Sequence, residues 1–281
     1  MAKGNLLLGT AGNSVGDVVM YRREGAQVSR VRVRKIKNPK TDAQSLQRAA
    51  FSPVAKFYSP LAVVLERSFE GLSKSKSYSK FLKTNVDLAR AKDWLLPKGT
   101  GFFPLPYKLS QGTLQSVSVC ELASSVCLDA FPNGEASTLA DISAKWVDQG
   151  YKNGDVVTFI AIVKDGAGNF HPESLQFIID TKSTEESHNW KMGAAVVAYE
   201  AKYRITVANN DAGLSLAGGA VIVARFENEK WRRSTQSLCV MQSIMTQISA
   251  ADYKAAAIAS YGINAGDPNP LVYLDGDTLE G

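Results

Sequence analysis

Asn153-Gly154-Asp155-Val156-Val157-Thr158-Phe159 is a turn that runs directly into a strand. The Asn-Gly pair supplies the backbone freedom a tight turn needs. Val, Thr and Phe suit a pleated, packed surface. The same grammar recurs on both sides, with candidate strands over 113–120, 125–131, 142–147, 155–163, 174–179, 193–199, 203–208, 220–226 and 233–241. Pro132-Asn133-Gly134, Asp165-Gly166-Ala167-Gly168-Asn169 and Asn209-Asn210-Asp211 punctuate them. Regular strands separated by turn signals predict a β-sandwich, with Trp146 and Phe159 as inter-sheet core residues.

Upstream of about residue 99 the pattern changes. Gly99-Thr100-Gly101 and Pro104-Leu105-Pro106 mark a boundary. Before it, Thr41-Asp42 can cap a helix whose apolar positions Leu46, Ala49, Ala50, Val54 and Phe57 recur at helical spacing. Pro53 and Pro60 predict two short helices or one kinked helix. A further helix is expected from Pro60 to about Gly71, with Leu61, Val64, Leu65 and Phe69 on one face. A loop and another helix should fill 73–96, and a small helix 250–260. At the start, strands joined by a Gly-containing turn predict a β-hairpin over residues 5–36. In Gln27-Val28-Ser29-Arg30-Val31-Arg32-Val33-Arg34, a register break at Ser29-Arg30 would put Arg30, Arg32 and Arg34 on one face and valines on the other.

The expected architecture is α+β, mainly β. Residues 1–98 form a basic hairpin plus helical region, 99–241 an immunoglobulin-like β-sandwich, and 242–281 a C-terminal extension. The extension ends in Asp275, Asp277 and Glu280, loosely ordered or docked on another surface.

Charge is distributed unevenly. Residues 1–100 carry 19 Lys+Arg and 7 Asp+Glu, whereas residues 101–281 carry 13 and 20. Such asymmetry suggests a basic arm that meets nucleic acid or an acidic surface, including the acidic part of the same or a neighbouring copy. Between Arg22 and Lys40 lie eight basic residues and one Glu. They are Arg22, Arg23, Arg30, Arg32, Arg34, Lys35, Lys37 and Lys40, with Tyr21 adjoining. Alternate residues of a strand lie about 6.5–7 Å apart, near the spacing of successive phosphates, and guanidinium pairs with phosphate through two hydrogen bonds. The Lys74, Lys76, Lys80 and Lys83 cluster, with Tyr78 and Phe81, is a candidate extension. Charged edge strands also occur simply to prevent aggregation, and lysine-rich helix faces are usually just solvated.

The usual chemistry is absent from the sequence pattern. Cys120, Cys127 and Cys239 are widely spaced, and only His171 and His188 are imidazoles. That composition predicts no zinc site, no disulfide framework and a reducing compartment. Both histidines fall in expected loops, away from any nucleophile signature, so no catalytic residue is assigned. Gly9-Thr10-Ala11-Gly12-Asn13-Ser14-Val15-Gly16 lacks the lysine of a phosphate loop. Asp165 to Asn169 lacks the full ligand set of a calcium loop. Leu6-Leu7-Leu8 is too short for the core of a signal peptide, and no run approaches the ~18 apolar residues of a membrane span. A cytoplasmic or virion-associated location is expected.

One resemblance adds to this reading. It rests on Gly4-Asn5-Leu6-Leu7-Leu8-Gly9, Gly12-Asn13-Ser14-Val15-Gly16-Asp17-Val18-Val19-Met20-Tyr21-Arg22, and Asn38-Pro39-Lys40-Thr41-Asp42-Ala43-Gln44 with Gln47-Arg48 and Phe51. These segments resemble domain-of-unknown-function family 6266, uncharacterised proteins of Bacteroidota and their phages or mobile elements. Gly154-Asp155-Val156-Val157 and Arg225-Phe226-Glu227 with Trp231-Arg232-Arg233-Ser234-Thr235 are similar to its closing strands. The resemblance is specific over 4–72 and loose over 110–240, and the ribbon here is richer in Arg. It implies an α+β layout with an immunoglobulin-like sandwich, and no catalytic residues.

The function these features predict is non-enzymatic, sequence-independent binding of a single- or double-stranded nucleic-acid backbone, without cofactor or metal. Tyr21, Arg22, Arg23, Arg30, Arg32, Arg34, Lys35, Lys37 and Lys40 are the expected contacts. The alternative is a self-assembling homo-oligomeric component of a virion, tail or surface structure, in which the basic arm of one copy meets the acidic domain of the next.

Overall fold

The computed structural model describes residues 13–15, 17–23, 26–32, 41–122, 125–132, 138–184, 191–192, 195–199, 202–207, 214–247 and 253–261. The chain divides into two compact units, Met1–Lys40 with Ala265–Gly281, and Thr41–Asn264. The expected acidic tail, Asp275, Asp277 and Glu280, lies outside the described residues.

In the first unit, β1 (Asn13–Val15), β2 (Val18–Arg23) and β3 (Ala26–Val31) form an antiparallel meander in the order β1-β2-β3. The expected hairpin is therefore three-stranded. Its β2–β3 register runs without interruption from Val18 opposite Val31 to Arg23 opposite Ala26. The break expected at Ser29-Arg30 is absent. Because side chains alternate with period two, Val28 shares a face with Arg30, and Val31 points to the other side.

In the second unit, α1 (Asp42–Leu61) is one helix despite Pro53 and Pro60. Thr41 caps it, its hydroxyl accepting from the Gln44 amide. A proline inside a helix costs about 3 kcal/mol. Here a continuous buried stripe that includes Ala49, Ala50, Pro53, Val54, Phe57 and Leu61 offsets that cost, since each large apolar side chain contributes roughly 1.5–3 kcal/mol. The helix expected over 60–71 is not formed. Residues 62–67 are turns, and Arg67 adopts φ 53°. Leu61, Leu65 and Phe69 still reach the core, so a series of turns reproduces the burial that a helix would give. α2 (Lys74–Ala91) is the helix expected within 73–96 and lies against α1. α4 (Gln242–Gln247) and α5 (Tyr253–Tyr261) follow the last strands, and α5 also lies against α1.

Two five-stranded antiparallel sheets follow. The first joins β13 (Lys230–Arg233), β12 (Ser215–Glu227), β7 (Val156–Lys164) and β8 (Phe170–Ile178) in that order, with β15 (Cys239–Val240) also on β12. The second runs β5 (Val119–Leu122), β6 (Ser125–Pro132), β11 (Lys202–Val207), β10 (Ala195–Tyr199) and β9 (Lys191–Met192). A short pair, β4 (Lys108–Ser110) with β14 (Gln236–Ser237), completes the set. β6 and β11 lie against β12, and β11 also against β7, so the two sheets are layered. Phe57, Phe81, Val126, Leu128, Phe159 and Val221 belong to one apolar core, which the helices share with both sheets.

The strand expected over 142–147 is instead α3 (Leu139–Asp148). Thr138 and Asp141 form a reciprocal capping box at its start. Leu139, Ile142, Ser143 and Trp146 make its buried face. Trp146 is a core residue as expected, but it arrives from a helix and meets Phe159 and Phe177 edge-on at 6.3 and 6.0 Å. The fold is α+β, with helix and strand in comparable amounts rather than mainly β. The immunoglobulin-like arrangement expected from the sequence is not confirmed by these strand orders.

Asp155 anchors the end of the first sheet at which β7 begins. Its carboxylate is 1% exposed and accepts two bonds of 2.7 Å from the Arg225 guanidinium on β12. It also accepts from the Lys152 amide at 2.9 Å, and its carbonyl receives the Ile179 amide beyond β8 at 2.8 Å. Removing one partner of a buried pair strands the other, at about 3–5 kcal/mol. Asp155→Ala should lower stability by that order in urea unfolding, and Arg225→Met on the same background should recover part of it.

Glu70 ties the turn after α1 to the sheet. It accepts the Thr113 amide at 2.8 Å, the Thr113 hydroxyl at 3.0 Å and the Arg233 amide at 3.3 Å. Burial alone would raise its pKa, but these donors outweigh it and hold the carboxyl below its ordinary 4.5. A depressed folded pKa contributes stability that is complete above the unfolded value and is lost as pH falls through the folded value. The thermal midpoint should therefore fall as pH drops below 4.5, and Glu70→Gln should flatten that acid slope while lowering the midpoint at pH 7.

Candidate nucleic-acid interface

The β1–β3 meander carries five of the nine expected contact residues within described structure. Tyr21, Arg22 and Arg23 sit on β2 and Arg30 on β3, while Arg32 follows β3 and donates its amide to the Asp17 carbonyl. Arg34, Lys35, Lys37 and Lys40 lie outside the described residues.

The register decides which side chains meet. Tyr21 is opposite Val28, and Val19 is opposite Arg30. Alternation therefore gathers Val19, Tyr21, Arg23, Val28 and Arg30 on one face. Arg22 belongs to the other face with Val18, Met20 and Val31. The basic face is not all arginine, nor are the valines all opposite it, because the strand keeps an unbroken period of two. Met20 is buried, whereas Val18 and Val31, a directly opposed pair, are 36% and 73% exposed.

Arg30 and Tyr21 are diagonal neighbours across β2 and β3, a distance long side chains span. The Arg30 guanidinium carbon lies over the Tyr21 ring, 5.9 Å from its centroid. The contact orients the cation and leaves Tyr21 40% exposed. Arg22, Arg23, Arg30 and Arg32 are all exposed. Among the described residues, none of the four is in a salt bridge. Residues 1–40 carry 9 Lys+Arg and 2 Asp+Glu, so the excess charge of the chain is concentrated here.

The lysine-rich segment expected to extend this surface belongs to α2 of the other unit. Its aromatics are structural: Phe81 is fully buried, and Tyr78 lies 4.7 Å from Tyr58, ring centre to ring centre. Lys74 pairs with Glu66 at 3.0 Å. No aromatic of this segment is free to stack.

The remaining candidates resolve in simpler ways. His171 lies on β8 and not in a loop, with Nε2 3.2 Å from Glu173. Pro172 beside it is tolerated because β8 is an edge strand of its sheet. His188 and most of the Gly9–Gly16 segment lie outside the described residues. Asp165 closes the β7–β8 turn by accepting from Asn169 N at 2.8 Å, with Gly168 at φ 86°. The Asn169 amide holds its carboxyl below the usual range. Among the described residues, no cluster of three or more His, Cys, Asp or Glu could hold a metal ion.

Sequence reasoning missed a second constellation. Phe226 and Trp231 are directly opposed on β12 and β13, across the two-residue turn Asn228-Glu229. They are 60% and 40% exposed. The readable signal was an Asn-led pair of turn residues between two aromatic-containing strands.

Among the described residues, no helix is long and apolar enough to cross a membrane. No family model, no curated protein and no solved structure matches the chain.

Proposed function

We propose that the chain is a non-enzymatic protein whose N-terminal meander binds a nucleic-acid backbone without reading its sequence. The observation that carries this reading is the exposed set Arg22, Arg23, Arg30 and Arg32, none salt-bridged among the described residues. Arg22, Arg23 and Arg30 stand on adjacent strands, which fixes the spacing of their backbones before a ligand arrives, and the Tyr21 ring orients Arg30, which lowers the entropy lost on binding. Arg23, Arg30 and Tyr21 share a face, so a phosphate run can be held by the arginines while a base stacks on the tyrosine. Arg34, Lys35, Lys37 and Lys40 continue the basic run in sequence and belong to the same proposed footprint. A phage or mobile-element setting, cytoplasmic or virion-associated, fits such a role.

A second reading rests on a different observation. Val18 and Val31 form an exposed apolar pair on the face away from Tyr21, and among the described residues β3 is an edge strand. An exposed edge with apolar side chains is a template for another copy. That supports a self-assembling structural protein as the alternative.

The test is fluorescence anisotropy with labelled single- and double-stranded oligonucleotides at low salt. The intact protein should bind at micromolar concentration or tighter. Arg23→Gln with Arg30→Gln should weaken binding to all sequences alike, by about tenfold or more. Equal binding by wild type and variant would refute the assigned face. No binding at all, with concentration-dependent growth in particle size that Val31→Lys abolishes, would favour assembly instead.

A further inference from the structure

We propose that Cys120 and Cys127 are a thiol-modification site: they form a reversible disulfide that clamps β5 onto β6. The pair lies within the second unit and is independent of the nucleic-acid reading.

The register brings the two thiols together. β5 and β6 are antiparallel and paired without interruption, Val119 opposite Leu128, Cys120 opposite Cys127, Glu121 opposite Val126 and Leu122 opposite Ser125. Cys120 and Cys127 are therefore direct cross-strand neighbours, and directly opposed side chains share a face. The six residues between them in sequence are the length that the hairpin needs to bring them level. Opposed residues of an antiparallel pair have Cα atoms about 4.5 or 5.5 Å apart, according to the pair type. Both values fall inside the range of roughly 4.4–6.8 Å that a disulfide spans. Their Cβ atoms stand about 4.5–5.5 Å apart, where a disulfide holds them at about 3.5–4.5 Å. Closing the bond thus draws the strands together by about 1 Å. Among the described residues β5 is an edge strand and can take up that shift, whereas β6 is held between β5 and β11. A bond closed against such a displacement is easier to reduce than a relaxed one, so the pair can cycle.

Burial sets the order of the chemistry. All three cysteines are thiols in this structure. Cys127 is fully buried, and Cys120 is partly exposed. By itself Cys127 would be an ordinary small apolar residue. Opposite a partly exposed thiol, it becomes the resolving partner. An external disulfide, here oxidised glutathione, meets Cys120 first. The Cys120 thiol loses its proton to solvent and its sulfur attacks one glutathione sulfur; the glutathione S–S bond breaks, and one glutathione leaves and takes up a proton. Cys127 then loses its proton and attacks the Cys120 sulfur, and the second glutathione leaves in the same way. Two protein thiols are oxidised to one disulfide, and one glutathione disulfide is reduced to two thiols. In a reducing compartment the pair stays dithiol, so the bond marks a change to oxidising conditions.

The third cysteine stands apart from this pair. Cys239 is on β15, which lies against β5. Burial first, and the Glu121 carboxylate second, push its thiol above the ordinary value. Alternation turns Glu121 to the face of β5 away from Cys120. Glu121 also accepts the amide of Gln242, the first residue of α4, at 2.7 Å. Clamping β5 onto β6 therefore also steadies the support on which α4 begins.

The experiment incubates the intact protein at about pH 8, where thiolate is available, with a series of reduced-to-oxidised glutathione ratios. Samples are alkylated in denaturant and mapped by mass spectrometry without reduction. Cys120 and Cys127 should lose alkylation together and appear in one linked peptide pair, with Cys239 alkylated throughout. Dithiothreitol should restore both thiols. Amide exchange over 119–122 should slow in the oxidised protein. Cys127→Ser should stop at glutathione-linked Cys120, and Cys239→Ser should still form the linked pair. The proposal is overturned if wild type stays fully alkylated at the most oxidising ratio, if it retains glutathione on Cys120, or if the linkage includes Cys239. A Cys120–Cys127 link that forms only after unfolding in urea, or unchanged exchange over 119–122, would also overturn it. The decisive map is made on the unsubstituted protein, so a variant that fails to fold leaves the result standing.

Discussion

The second unit is organised around one buried ion pair. Asp155 stands at the entry to β7, the strand flanked on its two sides by β8 and β12. Through Arg225 it fixes the far end of β12, and through its backbone it fixes the end of β8. Three strands are thus pinned at one level, beside the aromatic cluster of Trp146, Tyr151, Phe159 and Phe177. A buried ion pair adds little net stability over a well-packed apolar substitute. What it specifies is register, because a slip of one residue would leave both charges unpaired in the core. Phe226 and Trp231 depend on that register: Arg225 is the residue before Phe226, and its position sets where the β12–β13 hairpin turns.

The part of this arrangement that could be read from the sequence was the part set by local chemistry. Asn153-Gly154 announced a turn and Val156-Val157-Thr158-Phe159 a buried strand, and β7 begins within one residue of the expected start. Thr41-Asp42 announced α1. Competing signals caused the misses. Residues 142–147 contain Ile, Trp and Val, which favour strands, but Thr138 and Asp141 form a capping box and the apolar residues fall at helical spacing. Pro53 and Pro60 argued for breaks that core burial overrode. At the candidate interface, the residue types were legible and their faces were not. The sequence Val28-Ser29-Arg30-Val31 suits either a bulge or an unbroken strand, and only pairing with β2 decides between them. The surroundings of the Phe226–Trp231 pair include the turn 67–72, which lies far away in sequence, so no local pattern could show them.

Charge and aromatic surface are divided between the two units. Residues 1–40 carry 9 basic and 2 acidic residues, and the remaining 241 carry 23 and 25. The meander thus offers excess positive charge with one open tyrosine, which suits a polyanion whose recognition is electrostatic. The larger unit carries nearly balanced charge and an exposed aromatic pair, Phe226 and Trp231, on one face of the β12–β13 hairpin.

The reading of the meander as a nucleic-acid site is tested most directly by the salt dependence of oligonucleotide affinity in the intact protein. Each phosphate contact on a duplex adds roughly 0.9 to the negative slope of log K against log salt, and on a single strand about 0.7. The four described arginines together predict a slope of about −3 or steeper, the same for unrelated sequences. A slope near zero, or affinity that depends on sequence and not on salt, would contradict the account.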